Sequence, residues 1–215
     1  VIEKEEDVGW ETSSRNTGVV HAGFSHKPGS LKAALCREGN RDFEVLCHEM
    51  DVPYKKLGKC VVALSDDEIP NLESLARQGE RNGVPGLSII DRDTLRELEP
   101  NLNGVAALYS AESAITNPFL LTIALAESAK KNGVDFYLSS PVEEVKKVGT
   151  DFHVSVGKNL FKADWVVNSA GLFSDEISRS VGIDKYKIQP YRGEYLILDK
   201  RREDLINHLI YPAAH

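Results

Sequence analysis

Serine, arginine, asparagine, glycine and histidine crowd into Ser13-Ser14-Arg15-Asn16-Thr17-Gly18-Val19-Val20-His21-Ala22-Gly23, behind an apolar stretch that reads as a strand ending in an acid, Val1-Ile2-Glu3-Lys4. These residue types suit a dinucleotide. A carboxylate at a strand end accepts from ribose hydroxyls, and hydroxyl, guanidinium and backbone N–H groups beyond it donate to phosphate or ring oxygens. The phosphate-cradling G-x-G-x-x-G turn that belongs about 20 residues before such an acid would lie upstream of Val1. A second junction, Ala163-Asp164-Trp165-Val166-Val167-Asn168-Ser169-Ala170-Gly171, reads as a buried-type strand entering a small-residue turn, with Ser174 or Asp175 placed to cap the next helix. Such a turn brings backbone donors and a positive helix end to a phosphate, although many α/β turns share the pattern without a ligand. In Tyr191-Arg192-Gly193-Glu194-Tyr195 the guanidinium is suited to a bidentate grip on carboxylate or phosphate, or to a local pair with Glu194.

Composition narrows the partners. The 215 residues are 41% hydrophobic, enough for one large core or two modest ones, and carry 26 Lys and Arg against 33 Asp and Glu. The resulting net charge of −7 argues against nucleic-acid binding through a general basic field. No apolar run approaches the length of a transmembrane helix. Cys36, Cys47 and Cys60 form no C-x-x-C pair, and His26, His48, His153, His208 and His215 show no metal-ligand spacing, so reduced thiols and no metal site are expected.

Helical and strand signals alternate, which gives a mixed α and β class. Ser30 caps a helix running to about Met50, with Gly39 a weak point inside it. Lys59–Leu64 reads as a strand, and Ser65-Asp66-Asp67-Glu68 opens a helix that Asn82-Gly83 closes. Leu87–Ile90 is a short strand, Asp91 begins a short helix ending before Pro100, and Val105–Tyr109 is extended. Asn117-Pro118 starts a helix that ends near Asn132-Gly133. Val134–Leu138, Pro141–Val148 and Phe152–Val156 read as strands, the latter two short and antiparallel, and Tyr191–Leu198 reads as a strand with a glycine-relieved entrance.

Several segments together resemble the flavin-dependent oxidoreductases of the D-amino-acid-oxidase superfamily, in the branch of L-2-hydroxyglutarate dehydrogenases and glycerol-3-phosphate-dehydrogenase-like proteins. They are Val1-Ile2-Glu3-Lys4, Asn16 to Gly23, Lys27-Pro28-Gly29-Ser30-Leu31-Lys32, Asn82 to Leu87, Glu97-Leu98-Glu99-Pro100, Asn168 to Asp175 and Arg192-Gly193-Glu194-Tyr195. The resemblance implies a partial FAD-binding Rossmann-like domain (residues 1–50 and 112–182) with an inserted antiparallel-sheet substrate domain (51–111 and 183–215). It implies FAD as cofactor, with Glu3 on the adenosine ribose. Ser14, Arg15, Asn16 and Gly18 would pass the pyrophosphate and isoalloxazine, Val142 would meet the adenine through its backbone, and Gly171 would let the chain approach FAD. His21 would lie near the flavin, as proton acceptor, carboxylate ligand or covalent tether. Arg192, Tyr195 and Tyr211 would line the substrate cavity. The plainer readings remain beside these: a solvated Glu3, a structural His21, packing tyrosines.

The implied reaction takes hydride from a hydroxyl-bearing carbon while a base within about 3 Å accepts the hydroxyl proton. His21 is the expected base and Arg192 the expected anion clamp. A 2-hydroxy acid such as L-2-hydroxyglutarate leads as substrate, with sn-glycerol 3-phosphate second. A quinone or carrier is the implied electron acceptor, and the cytoplasm or the inner membrane face the implied location. Measured against the family pattern, the chain reads as an internal fragment, expected to hold FAD weakly by itself and to favour oligomers or strand exchange at open sheet edges. A different class of reading is a non-catalytic structural or interaction piece.

Overall fold

The computed structural model describes residues 1–213. The first element is the two-residue strand Val19–Val20 (β1), followed by Leu31–Glu49 (α1), whose first turn is closed by Ser30 Oγ accepting from the Ala33 N–H at 3.2 Å. Tyr54–Lys56 (β2) and Lys59–Ala63 (β3) come next. One 3₁₀ turn at Asp66–Glu68 leads into Ile69–Arg81 (α2). Ser65 makes no side-chain cap there; instead Glu68 Oε2 reaches back to accept from the Leu64 N–H at 2.7 Å. Leu87–Asp91 (β4) feeds Arg92–Leu98 (α3), capped by Asp91 Oδ1 accepting from the Thr94 N–H at 2.9 Å. Ala106–Ser110 (β5), Ala114–Thr116 (β6) and Pro118–Lys131 (α4) follow, then Glu144–Val148 (β7), Asp151–Val156 (β8), Asn159–Ala163 (β9), Ser174–Ser180 (α5) and Leu209–Pro212 (β10).

The described residues form two compact units, one made of residues 1–16 and 122–196, the other of 17–121 and 197–213. In the second unit the main sheet runs β10-β3-β5-β4, with β3, β5 and β4 antiparallel neighbours and β10 parallel to β3. All five residues of β3 are buried, so its side chains feed both faces of the sheet. Val61 and Ala63 join Ala22, Phe24, Leu72 and Leu108 on one face, while Cys60 and Val62 join Leu95 and Ala107 on the other. A smaller sheet orders β1-β6-β2.

The first unit is built on the antiparallel meander β7-β8-β9, whose Val145, Val154 and Val156 pack with Ile2, Val142, Ile177 and Val181. Three sequence expectations need correction here. The apolar segments Val1–Lys4 and Val134–Leu138 contribute one parallel bridge, Ile2 to Tyr137, rather than full strands. Residues 164–170 leave the meander without a ladder, and 191–198 form no strand, with Leu196 98% and Ile197 95% exposed. Apolar composition alone does not make a strand; the first pair stops at one bridge, the other two segments have no ladder partner among the described residues, and unpaired backbone prefers water. The mixed α and β class itself is as read from the sequence.

Candidate functional site

His21 leaves β1 at the head of a loop that two helices hold from behind. Cys36 Sγ of α1 contacts the His21 carbonyl at 3.3 Å. From α2, Gln78 donates to the Phe24 carbonyl at 3.1 Å, and Asn82, which ends that helix, donates to the carbonyls of Gly23 and His26 at 3.0 and 2.8 Å. Ala22, Gly23 and Phe24 are buried, which leaves His21 and Ser25 as the exposed residues of a fixed turn. Gly79 of α2 makes room for it, since a Cβ there would fall 2.8 Å from Phe24 Cβ. Although His21 keeps a solvent-facing side, packing around its ring disfavours the imidazolium and lowers its pKa, and the positive charges of Lys59, His26 and Lys32 lower it further. His26 is shifted the same way, by burial first and then by Lys32 and Lys59.

Lys59 begins β3 and is only 5% exposed. Its ammonium lies 3.6 Å from the centre of the Tyr211 ring and 5.1 Å from that of Phe24, and no carboxylate pairs with it among the described residues. Burial pushes its pKa down to about 8. Tyr211 is thus brought to the same cluster as the His21 loop, through the pairing of β10 with β3. Sequence reading placed Lys59 at a strand start and passed over it; the available signal was a single lysine, behind Gly58, heading the apolar run Cys60-Val61-Val62-Ala63.

Gly18 sits at φ +65°, and a Cβ there would fall 2.2 Å from the Thr116 carbonyl oxygen. Its glycine is required by the close approach of two chain segments within this unit.

The first unit holds Glu3, Val142 and Gly171. Val142 packs in the same cluster as Ile2, next to Glu3. Lys4 carries its ammonium over the Phe173 ring at 4.8 Å, tying the strand end at Glu3 to the turn that begins with Gly171. One oxygen of Glu3 accepts from the Glu5 N–H at 3.0 Å, and the other makes no hydrogen bond among the described residues. Gly171 has φ +54° and open space where a Cβ would stand. Ser14 donates to the Gly9 carbonyl, and Asn16 donates to the Thr12 and Ser13 carbonyls at 3.1 and 3.0 Å, so both shape the exposed turn that carries Arg15.

Arg192, with its side chain 88% exposed, stands 4.0 Å from Glu194, and Tyr195 is exposed nearby. Among the described residues no group of His, Cys, Asp and Glu could hold a metal ion, and no helix is long and apolar enough to cross a membrane. The three cysteines are free, and burial together with the Glu99 charge pushes the Cys60 thiol up to about 11.

The chain belongs to the FAD dependent oxidoreductase family, whose model matches residues 1–214. It is 41% identical over 213 residues to a glycerol 3-phosphate dehydrogenase of Caloramator mitchellensis, an alignment covering 98% of this chain and 44% of that protein. It is 36% identical over 215 residues to an L-2-hydroxyglutarate dehydrogenase of Indibacter alkaliphilus, covering 99% and 54%. The chain therefore spans about half the length of the curated relatives it matches. Its fold is shared with a dithionite-reduced L-α-glycerophosphate oxidase from Mycoplasma pneumoniae with FAD bound, at a TM-score of 0.83 and 22% identity over 99% of this chain and 58% of that one. An L-proline dehydrogenase from P. horikoshii matches at 0.80 and 21%, over 99% and 57%.

Proposed function

We propose that the protein carrying this chain is an FAD-dependent dehydrogenase of a small anionic hydroxy compound, with a 2-hydroxy acid such as L-2-hydroxyglutarate as the leading substrate. The observation that supports this reading is a solvent-facing histidine on a turn that Cys36, Gln78 and Asn82 hold from behind, with the ammonium groups of Lys59 and Lys32 close enough to lower its pKa. A neutral imidazole accepts a proton, and the same cations attract an anion. In this reading Glu3, Ser14, Arg15, Asn16, Gly18, Val142 and Gly171 hold the cofactor. FAD, when bound, supplies the acceptor for the hydride leaving the hydroxyl-bearing carbon. His21 takes the hydroxyl proton, Arg192 grips the substrate anion, and Tyr195 and Tyr211 bound the substrate. Residues 1–50 and 112–182 serve the cofactor, and 51–111 and 183–215 the substrate. The electrons pass on to a quinone or soluble carrier, at the inner membrane face or in the cytoplasm.

A second reading, sn-glycerol 3-phosphate as substrate, is favoured by the 41% identity to the Caloramator protein of that name. Both substrates place an anion near a secondary hydroxyl, so the cluster around His21 serves either. Dye reduction by the purified protein with each compound in turn decides. Turnover with L-2-hydroxyglutarate alone supports the first reading, turnover with glycerol 3-phosphate alone the second, and turnover with neither overturns both.

A further inference from the structure

Lys59 is difficult to justify as packing. Burying an ammonium without an anion costs desolvation free energy that contact with two aromatic faces offsets only in part. A methionine would fill the same space with no charge to desolvate. The surroundings offer no relief, because the titratable groups linked to Lys59 are His21 and His26 on the loop and Tyr211 on β10, with Lys32 of α1 beside the two histidines, and none of them is a carboxylate. Its stem follows Val61 and Ala63 along the core face they share with Phe24, so the amine is delivered to the underside of the loop that presents His21.

We propose that Lys59 is a substrate-binding residue, whose ammonium pairs with the carboxylate or phosphate of the small anion on which His21 acts, while the Tyr211 and Phe24 rings wall the pair from water. The inference rests on the dehydrogenase reading above for the identity of the anion, and on the cation cluster alone for its charge. The pair is the missing electrostatic complement: an anion placed there is desolvated beside four basic groups and opposed by none. It also gives the buried charge a purpose that stability does not. Arginine keeps the charge on a larger head, and methionine keeps the volume alone.

The experiment uses the flavin-loaded protein as wild type, Lys59→Met and Lys59→Arg. Two non-reacting probes, glutarate and inorganic phosphate, are titrated by the change in flavin absorbance, and kcat and KM are measured with L-2-hydroxyglutarate and with glycerol 3-phosphate. Lys59→Met is expected to raise KM and the probe Kd about 30-fold or more, with kcat changed less than about threefold, and Lys59→Arg to recover most of the binding. The probe that loses affinity distinguishes carboxylate from phosphate. Wild-type probe binding is expected to weaken as pH rises from 7 to 10, and Lys59→Arg to lose that dependence, because His21 and His26 are already neutral across that range. Probe Kd and KM within threefold of wild type in Lys59→Met overturn the proposal. Should Lys59→Met fail to take flavin, the other two proteins decide: wild-type binding that is flat from pH 7 to 10 overturns it. Wild type that turns over neither substrate but binds a probe in a Lys59-dependent way sinks the dehydrogenase reading and leaves the Lys59 site standing.

Discussion

One oxygen of Glu99 is the hydrogen-bond acceptor for His208 twice over, from its backbone N–H at 2.6 Å and at ring Nδ1 at 2.8 Å, and it also accepts from the Asn207 N–H at 2.8 Å. Glu99 is 1% exposed and stands at the end of α3, while His208 immediately precedes β10. Neighbouring bonds repeat the link: Asn207 donates to the Leu98 carbonyl at 3.0 Å and Asn101 to that of Leu205 at 3.1 Å. The ring of His208 also meets Tyr109 edge to face at 5.8 Å between centroids. Glu99 is therefore the clasp that sets β10 beside β3, and so places Tyr211 against Lys59.

Removing the clasp has a calculable direction. Glu99→Ala strands two part-buried backbone N–H groups and an imidazole nitrogen, and it is expected to cost about 2–4 kcal/mol in urea unfolding. Glu99→Gln keeps the accepting oxygen and is expected to cost about 1 kcal/mol. Equal losses from the two variants would show that the acceptor role is not what holds this segment.

Lys59 makes the opposite prediction for stability. Its ordinary pKa of 10.5 falls to about 8 on folding, so between those values the unfolded chain binds more protons and stability rises with pH. Below pH 8 both states hold the proton and the full penalty of the buried charge applies. Lys59→Met is expected to stabilise the ligand-free protein by about 1–3 kcal/mol at pH 7, with the gain shrinking above pH 8 and gone near 10.5. A variant that is more stable yet binds anions worse is the signature of a residue kept for function. A loss of stability at pH 7 would mark Lys59 as structural.

For His21 the depressed pKa sets the acid limb of the reaction. If the neutral ring is the base, kcat/KM stays level as pH falls to the ordinary value of 6.5 and declines only below it. Lys59→Met removes one of the charges holding the pKa down, and Lys32→Met another, so each is expected to move the limb upward. His21→Ala is expected to lower turnover about 10²- to 10⁴-fold with a much smaller effect on Tm, since the ring is packed on one side and open to solvent on the other. Turnover unchanged in His21→Ala would remove it from the mechanism.

Much of this was legible in the chain, and the boundary between legible and hidden is physical. Ser30, Asp91 and Asn117 announce their helices because an N-cap is a local event, decided within one turn. β3, β4 and β5 were readable from short apolar runs, but β10 was not, because its parallel partner lies about 150 residues earlier and its position depends on the Glu99 clasp. Trp165 to Val167 and Tyr191 to Leu198 looked like strands for the same reason in reverse: composition reports what a segment could bury, and only a neighbour decides whether it does. Of the proposed site residues, His21 stood out by its place in a polar, glycine-rich loop, and Tyr211 only through the family resemblance. Lys59 was not, since a lysine is legible as buried only once Phe24 and Tyr211, distant in sequence, close over it.

Gly18 and Gly171 were read alike from the sequence, both as glycines serving FAD, and their surroundings now separate them. Both have positive φ, at +65° and +54°, so alanine at either carries a left-handed penalty of about 1–2 kcal/mol. At Gly18 the added Cβ also meets the Thr116 carbonyl oxygen at 2.2 Å, a contact that only backbone movement relieves. Gly18→Ala is therefore expected to cost about 2–4 kcal/mol in unfolding. At Gly171 nothing lies within 4 Å of the added Cβ, and the cost should stop at the backbone term. The open space is what a cofactor would use, so Gly171→Ala is expected to weaken FAD binding about tenfold or more while the Tm of the flavin-free protein falls only slightly. Isothermal titration of FAD into the flavin-free variants, with thermal unfolding of the same samples, separates the two. A Gly171→Ala protein that binds FAD as tightly as wild type would show that the space above this turn is not where the cofactor lies.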